Sequence, residues 1–216
     1  MPPIVSIVGR SNAGKTTLLE KLVAELKGRN RRLATIKHDV HGFDMDTPGK
    51  DSWRHAQAGS DAVVISSPSK LALIMQTGHD SDLDDIARLL GEEYDIIITE
   101  GYKSRTAPKI EVHRKGMGEG LLSTPDELIA VATDEPLDVP VWQCSLDDIS
   151  ELADLVERTF ISPREPEAVT LYANGAAVPL SSFVQQFVSR TIFGMLSALK
   201  GVEDPRSLDI FLRKRE

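Results

Sequence analysis

Gly9-Arg10-Ser11-Asn12-Ala13-Gly14-Lys15-Thr16 sets a glycine four positions ahead of Gly-Lys-Thr. These residue types at this spacing suit a phosphate chain. Gly9 and Gly14 let the backbone approach an anion closely, and the amides of Asn12 to Thr16 point inward at a helix N-terminus. Lys15 is expected to reach the β- and γ-phosphates, and the Thr16 hydroxyl to coordinate Mg²⁺. With Thr17 added, Gly9, Arg10, Ser11, Asn12, Ala13, Gly14, Lys15 and Thr16 form the candidate nucleotide-binding loop. The stretch follows a strand pattern and opens a helical one, the context this motif requires.

Further acidic and basic residues could serve the same ligand. Glu100 ends the apolar run Ile96–Thr99, and ligands of open α/β sheets bind at that end of the strands. A carboxylate there would hold a magnesium water or orient an attacking water. Lys37 to Asp46 packs two histidines and three aspartates into ten residues; this loop would lie beside the γ-phosphate and sense it, or contact a second anionic ligand, or else His38 and His41 act as surface hydrogen-bonders. Asp51, in Gly49-Lys50-Asp51-Ser52, is a second candidate for the magnesium. Asp134 follows a strand where some GTP-binding proteins place an aspartate that pairs with guanine N1 and N2. Lys103, Arg105, Lys109, Arg114 and Lys115 make a locally basic segment, whereas Arg29, Arg31 and Arg32 read as plain surface. Cys144 reads as a small buried filler.

The elements that must position these residues alternate between two periods. Ile4–Val8, Leu33–Ile36, Tyr94–Thr99, Lys109–Val112, Leu128–Thr133 and Val139–Trp142 are short, apolar, β-branched runs expected to form strands. Leu19, Leu22, Val23 and Leu26 share one helical face. Ser81 is the expected cap of a helix carrying Leu83, Ile86, Ala87 and Leu90, and a further helix spans about Asp147 to Phe160. Ala62–Ser66 and Leu71–Met75 read as a hairpin, and the stretch from Lys37 to Asp51 as a loop. The expected architecture is α/β: a P-loop NTPase fold with a mostly parallel sheet flanked by helices. Residues 1–161 make this domain and 162–168 a two-proline linker. Residues 169–216 form a small ββαβ appendage, with Asn174-Gly175 as its turn, Gly201 as a helix cap and Leu208, Ile210 and Leu212 in a last strand.

Composition narrows the classes. The chain has 216 residues, a net charge of −8 and one cysteine. That balance argues against general nucleic-acid binding, and the cysteine count excludes a disulfide and thiolate zinc sites. No apolar run approaches a membrane span, and the N-terminus lacks a basic signal region. The expected location is cytoplasmic.

The ordered set Gly9–Thr16, Ile36-Lys37-His38, His41, Gly49-Lys50-Asp51-Ser52, Ala58-Gly59, Ile98-Thr99-Glu100-Gly101-Tyr102-Lys103 and Lys109-Ile110-Glu111-Val112 resembles the MobB family over about residues 1–160. The resemblance implies GTP and Mg²⁺ as ligands, weak GTP hydrolysis and a homodimer. It also implies a role as adaptor beside the enzyme that attaches GMP to molybdopterin. On this basis Gly9 to Thr16 serve the phosphates and magnesium, and Glu100 and Asp51 follow. Asp39 stands where many members have a neutral residue, and the tail lies outside the family pattern. Two other readings stay open: a P-loop small-molecule kinase, and a nickel-type metallochaperone GTPase.

Overall fold

The structure, a computed structural model, describes residues 1–118, 120–161, 169–173, 176–200, 208 and 210. The chain divides into Met1–Ser162 and Pro163–Glu216. In the first unit, β1 (Ile4–Gly9), β2 (Leu33–Lys37), β5 (Ile96–Glu100), β6 (Lys109–His113), β7 (Leu128–Thr133) and β8 (Gln143–Ser145) pair in the order β2-β5-β1-β6-β7-β8. Every pairing in this sheet is parallel. Strands buried on both faces need continuous apolar runs, and Ile96, Ile97 and Ile98 in β5 are fully enclosed.

Side-chain alternation splits those runs between two layers. On one face, Val5, Ile7, Ile96 and Ile98 meet Leu18, Leu22 and Leu26 of α1 (Lys15–Gly28) and Leu152, Ala153 and Val156 of α4 (Ile149–Phe160). On the other, Ala34, Ile36, Ile97 and Tyr102 meet Leu83 and Ala87 of α3 (Leu83–Leu90). In α1, Leu18, Leu22 and Leu26 are fully buried, and Leu19 packs partly buried against the same core.

Several boundaries differ from the sequence reading: β5 starts at Ile96 rather than Tyr94 and ends at Glu100, β1, β2 and β6 each run one residue further, and three other shifts have a visible cause. The last strand is Gln143–Ser145 rather than Val139–Trp142. Pro140 lacks the amide a ladder needs, and pairing begins where Val131 N donates to Trp142 O at 2.9 Å. Asp82, not Ser81, occupies the N-cap of α3, without a side-chain capping bond; its carboxylate instead pairs with Arg105 at 2.5 Å. Helix α4 starts at Ile149, with the Asp148 carboxylate accepting from Glu151 N at 3.4 Å.

The polar face of β6 is unusual for an inner strand. Lys109 is fully buried and paired with Glu127. Glu111 accepts from Leu122 N and Ser123 N at 2.6 and 2.9 Å, and His113 meets Glu135 at 3.1 Å. These bonds tie down a β6–β7 crossover that contains one 3₁₀ turn (Pro125–Glu127). A buried ion needs such compensation to persist.

Between β2 and α3, α2 (Asp51–Gln57) precedes a separate antiparallel hairpin, β3 (Ala62–Ser66) and β4 (Leu71–Met75), at the residues the sequence indicated. In the second unit, β9 (Leu171–Ala173) pairs antiparallel with β10 (Ala176–Val178), and α5 (Ser182–Leu196) is capped by the Ser181 hydroxyl, which accepts from Val184 N at 3.4 Å. Asn174, Gly175, Gly201, Leu212 and the linker 162–168 lie outside the described residues. At Leu208 and Ile210, which are described, the backbone is not in a strand.

Candidate functional site: a phosphate cradle at the carboxyl edge of the sheet

Strand β1 is central in the sheet, so the chain leaving it crosses the carboxyl edge beside both neighbouring strands. Gly9 makes that exit feasible: a Cβ there would sit 2.5 Å from Val112 O, and its φ is +146°. Asn12 and Gly14 also adopt positive φ, 61° and 99°, which curls the loop into a concave shell of amides. Helix α1 then opens with no side-chain cap and no acid in its first turn. Its first amides are therefore available to an anion, and the helix dipole favours negative charge there.

The Lys15 ammonium arcs back over this loop and donates to Arg10 O at 2.8 Å. Partial burial pulls its pKa below the usual lysine value; Glu100 opposes that shift, and Lys103 and Lys37 reinforce it. A ligand phosphate would supply the missing counter-charge. The Thr16 hydroxyl meets both carboxylate oxygens of Glu100, at 2.9 and 3.0 Å. A hydroxyl and a carboxylate side by side are the hard oxygen donors that Mg²⁺ prefers, so this pair fits that ion at the mouth of the loop.

Next to the loop lies a cavity of about 200 Å³ whose walls include Gly14, Thr17, Lys21, Arg114, Asp134 and Ser145. Asp134 is fixed there, its Oδ1 accepting from Lys115 N at 2.7 Å. Lys21 closes one side through Asp147 at 2.7 Å, and this contact holds the Asp147 carboxyl below its usual pKa. The structure thus brings Gly9 to Thr17, Glu100 and Asp134 to one edge. Asp51 begins α2, 92% exposed and 3.8 Å from Arg54, with no hydrogen bond to Thr16 or Glu100 among the described residues.

The basic segment does not form one face. Lys109 is buried against Glu127, Arg105 is held by Asp82, Lys103 lies near enough to Lys15 to oppose its charge, and Arg114 lines the cavity. Nor are Arg29 and Arg31 plain surface. Arg29 bonds Glu25, Asp154 and Glu157, and Arg31 bonds Glu157. His38 stacks on Tyr102 with ring centroids 4.3 Å apart and meets Asp80 at 3.1 Å. Among the described residues no group of three His, Cys, Asp or Glu could hold a metal ion. The wall formed by Lys21 and Ser145 was not legible in the sequence, because it depends on where β8 ends.

The family model for MobB, molybdopterin guanine dinucleotide synthesis protein B, matches residues 4–134. The chain belongs to the MobB family. The matched stretch lies wholly in the first unit and contains the loop, Glu100 and Asp134. Among MobB-family relatives, the molybdopterin-guanine dinucleotide biosynthesis adapter protein of Haemophilus influenzae is 37% identical over 156 residues, covering 72% of this chain and 88% of that protein. The Escherichia coli protein of the same description is 36% identical over 165 residues, covering 72% and 92%. A crystal structure of molybdopterin-guanine biosynthesis protein B superposes with a TM-score of 0.57 at 31% identity, covering 72% of this chain and 98% of that one. The Bacillus subtilis MobB structure gives 0.55 at 27% identity, with 73% and 98% covered. These neighbours carry the same α/β fold. No helix among the described residues is long and apolar enough to cross a membrane.

Proposed function

We propose that the chain is a cytoplasmic, magnesium-dependent GTP-binding adapter that hydrolyses GTP slowly and acts beside the enzyme attaching GMP to molybdopterin. The observation that carries this reading is the uncapped start of α1, with Lys15 over the loop and the Thr16 hydroxyl against Glu100. Gly9 to Thr17 bind the phosphates, and Lys15 balances charge at the β- and γ-phosphates. Thr16 and Glu100 hold the magnesium ion, which neutralises phosphate charge when bound. Glu100 also orients the water for slow hydrolysis. Asp51 would be a further holder of the ion. The guanine enters the cavity beside α1, where Asp134 accepts from its N1–H and N2–H₂ donors.

Partner contacts come from the two most apolar exposed features of the first unit. In the segment after β2, Val40, Phe43 and Met45 are each about three-quarters exposed. They form the docking point for the cofactor or its enzyme once nucleotide orders the segment. The hairpin β3–β4 exposes Val64, Ile65, Leu71, Leu73 and Met75, an apolar two-stranded surface that a monomer would leave open to aggregation. A second copy of the chain covers it in a homodimer.

Calorimetric titration with GTP and ATP analogues, each with Mg²⁺, tests the reading. Preference for the guanine nucleotide is expected; equal or tighter ATP binding would overturn it in favour of a kinase.

A further inference from the structure

Lys37 and Lys103 have no part in the loop motif, yet both lie near enough to its lysine to oppose the charge of Lys15. Lys37 is the cross-strand partner of Glu100 in the β2–β5 ladder. Along β2, Leu33 packs into the α1-side core, so Lys37, four residues on, projects to that same face. Glu100 lies on this face too, as its contact with Thr16 requires. Lys37 therefore stands one strand away from the carboxylate that abuts the start of α1.

Lys103 arrives by a turn. Gly101 and Tyr102 both take positive φ, 106° and 56°, and such a conformation in a tyrosine persists only when its surroundings enforce it. Here they do. Tyr102 is 5% exposed and stacks on His38, while His38 N donates to Glu100 O at 3.0 Å. Gly101 lies so close that a Cβ would be 3.1 Å from His38 Cβ. One ring pair thereby fixes the backbone of two dipeptides, Lys37-His38 and Tyr102-Lys103, and with it the points from which two lysine side chains extend. The neighbouring Arg105 is already engaged by Asp80 and Asp82, whereas Lys37 and Lys103 make no ion pair among the described residues.

We propose that Lys37 and Lys103 join Lys15 as a receptor for the terminal phosphate of a nucleoside triphosphate, with His38 and Tyr102 as the pair that positions them. Lys37 and Lys103 add positive charge to that of Lys15, only partly offset by Glu100, so a multiply charged anion is favoured there, and a triphosphate carries one more anionic group toward them than a diphosphate does. The receptor therefore distinguishes triphosphate from diphosphate. This rests on the nucleotide-binding reading above.

The test measures dissociation constants of the full chain for GDP and a non-hydrolysable GTP analogue, both with Mg²⁺. Wild type is compared with Lys37→Met, Lys103→Met, His38→Ala, Tyr102→Phe and Tyr102→Leu. Each lysine variant is expected to weaken the triphosphate about tenfold while the diphosphate changes by less than about twofold. His38→Ala and Tyr102→Leu lose the same discrimination, and Tyr102→Phe, which keeps the stack, retains it. Equal weakening of both nucleotides, or of neither, overturns the inference. A gain in inorganic phosphate binding to the GDP complex that depends on both lysines, with triphosphate affinity unchanged, also overturns it by assigning the pair to a separate phosphorylated ligand. If wild type binds neither nucleotide, the GTP reading itself fails; if it binds both and the variants match it, only this inference does.

Discussion

At the carboxyl end of α1, Arg29 donates to Glu25, Asp154 and Glu157 and Arg31 to Glu157; at the amino end, Lys15 feels the charge of Glu100 and, against it, that of Lys103 and Lys37. The ends of this 14-residue helix are about 21 Å apart, and their electrostatics have opposite signs of consequence. The carboxylates around Arg29 push its pKa well above the usual range, and Arg29 in turn holds the Glu157 carboxyl below its own. Lys15 shifts downward instead. Protein partners satisfy one end and stabilise the fold, while the other keeps positive charge that a bound anion would balance, as the proposed function requires.

The sharpest way to break the comparison is Lys15→Met. Removing the ammonium deletes charge-assisted bonds to two phosphates, so nucleotide affinity should fall about hundredfold. The unfolding midpoint should stay level or rise, because partial burial and like charges disfavour the protonated lysine in the folded chain. Calorimetry and thermal denaturation on the same sample check both halves. A loss of stability would mean that Lys15 is a structural cation like Arg29.

Arg29→Ala is the converse. It leaves Glu157 and Asp154 without their principal donor, at a cost of about 2 kcal/mol, less than for a fully enclosed pair because solvent reaches the site. Nucleotide affinity should be unchanged. The sign with pH follows from Glu157: its folded pKa lies below the ordinary 4.5, so its contribution is present above that value and fades as pH falls through the folded pKa. Denaturant titrations should therefore show the gap between wild type and variant narrowing between neutral pH and pH values well below 4.5.

How much of this contrast was legible in the sequence differs between the two ends. The loop Gly9–Thr16 and the strand before Glu100 are local patterns, and both stand where the sequence placed them. The hairpin β3–β4 is local as well, with Pro68 between two apolar runs. The Arg29 cluster is not local. Glu25 is four residues away in α1, but the other two acids come from α4, 125 and 128 positions away, and a run of arginines after a helix carries no trace of them. Lys37 and Lys103 were visible as parts of two short motifs and as charges, but not as neighbours of Lys15. Their convergence depends on the register of β2 against β5 and on a left-handed tyrosine, which residue type does not encode. Val139-Pro140-Val141-Trp142 read as a strand by composition, but a proline without an amide let the next three residues pair instead.

The smallest effect expected is at Asp134, where the comparison is sharpened rather than broken. Its Oδ1 is already occupied by Lys115 N, so the carboxylate is preset in direction, as Arg29's acids are, yet it borders an open cavity. A carboxylate accepts from two donors on a guanine edge; an amide can donate as well and so matches a base with a carbonyl at the 2-position. Asp134→Asn should weaken GTP about tenfold and strengthen xanthosine triphosphate by a similar factor, with phosphate binding untouched because Lys15 and Thr16 are unaltered. Competition between the two nucleotides on wild type and variant measures the exchange directly. Should the variant lose both equally, Asp134 holds the crossover through Lys115 instead of reading the base, and it belongs with the satisfied charges of the opposite end.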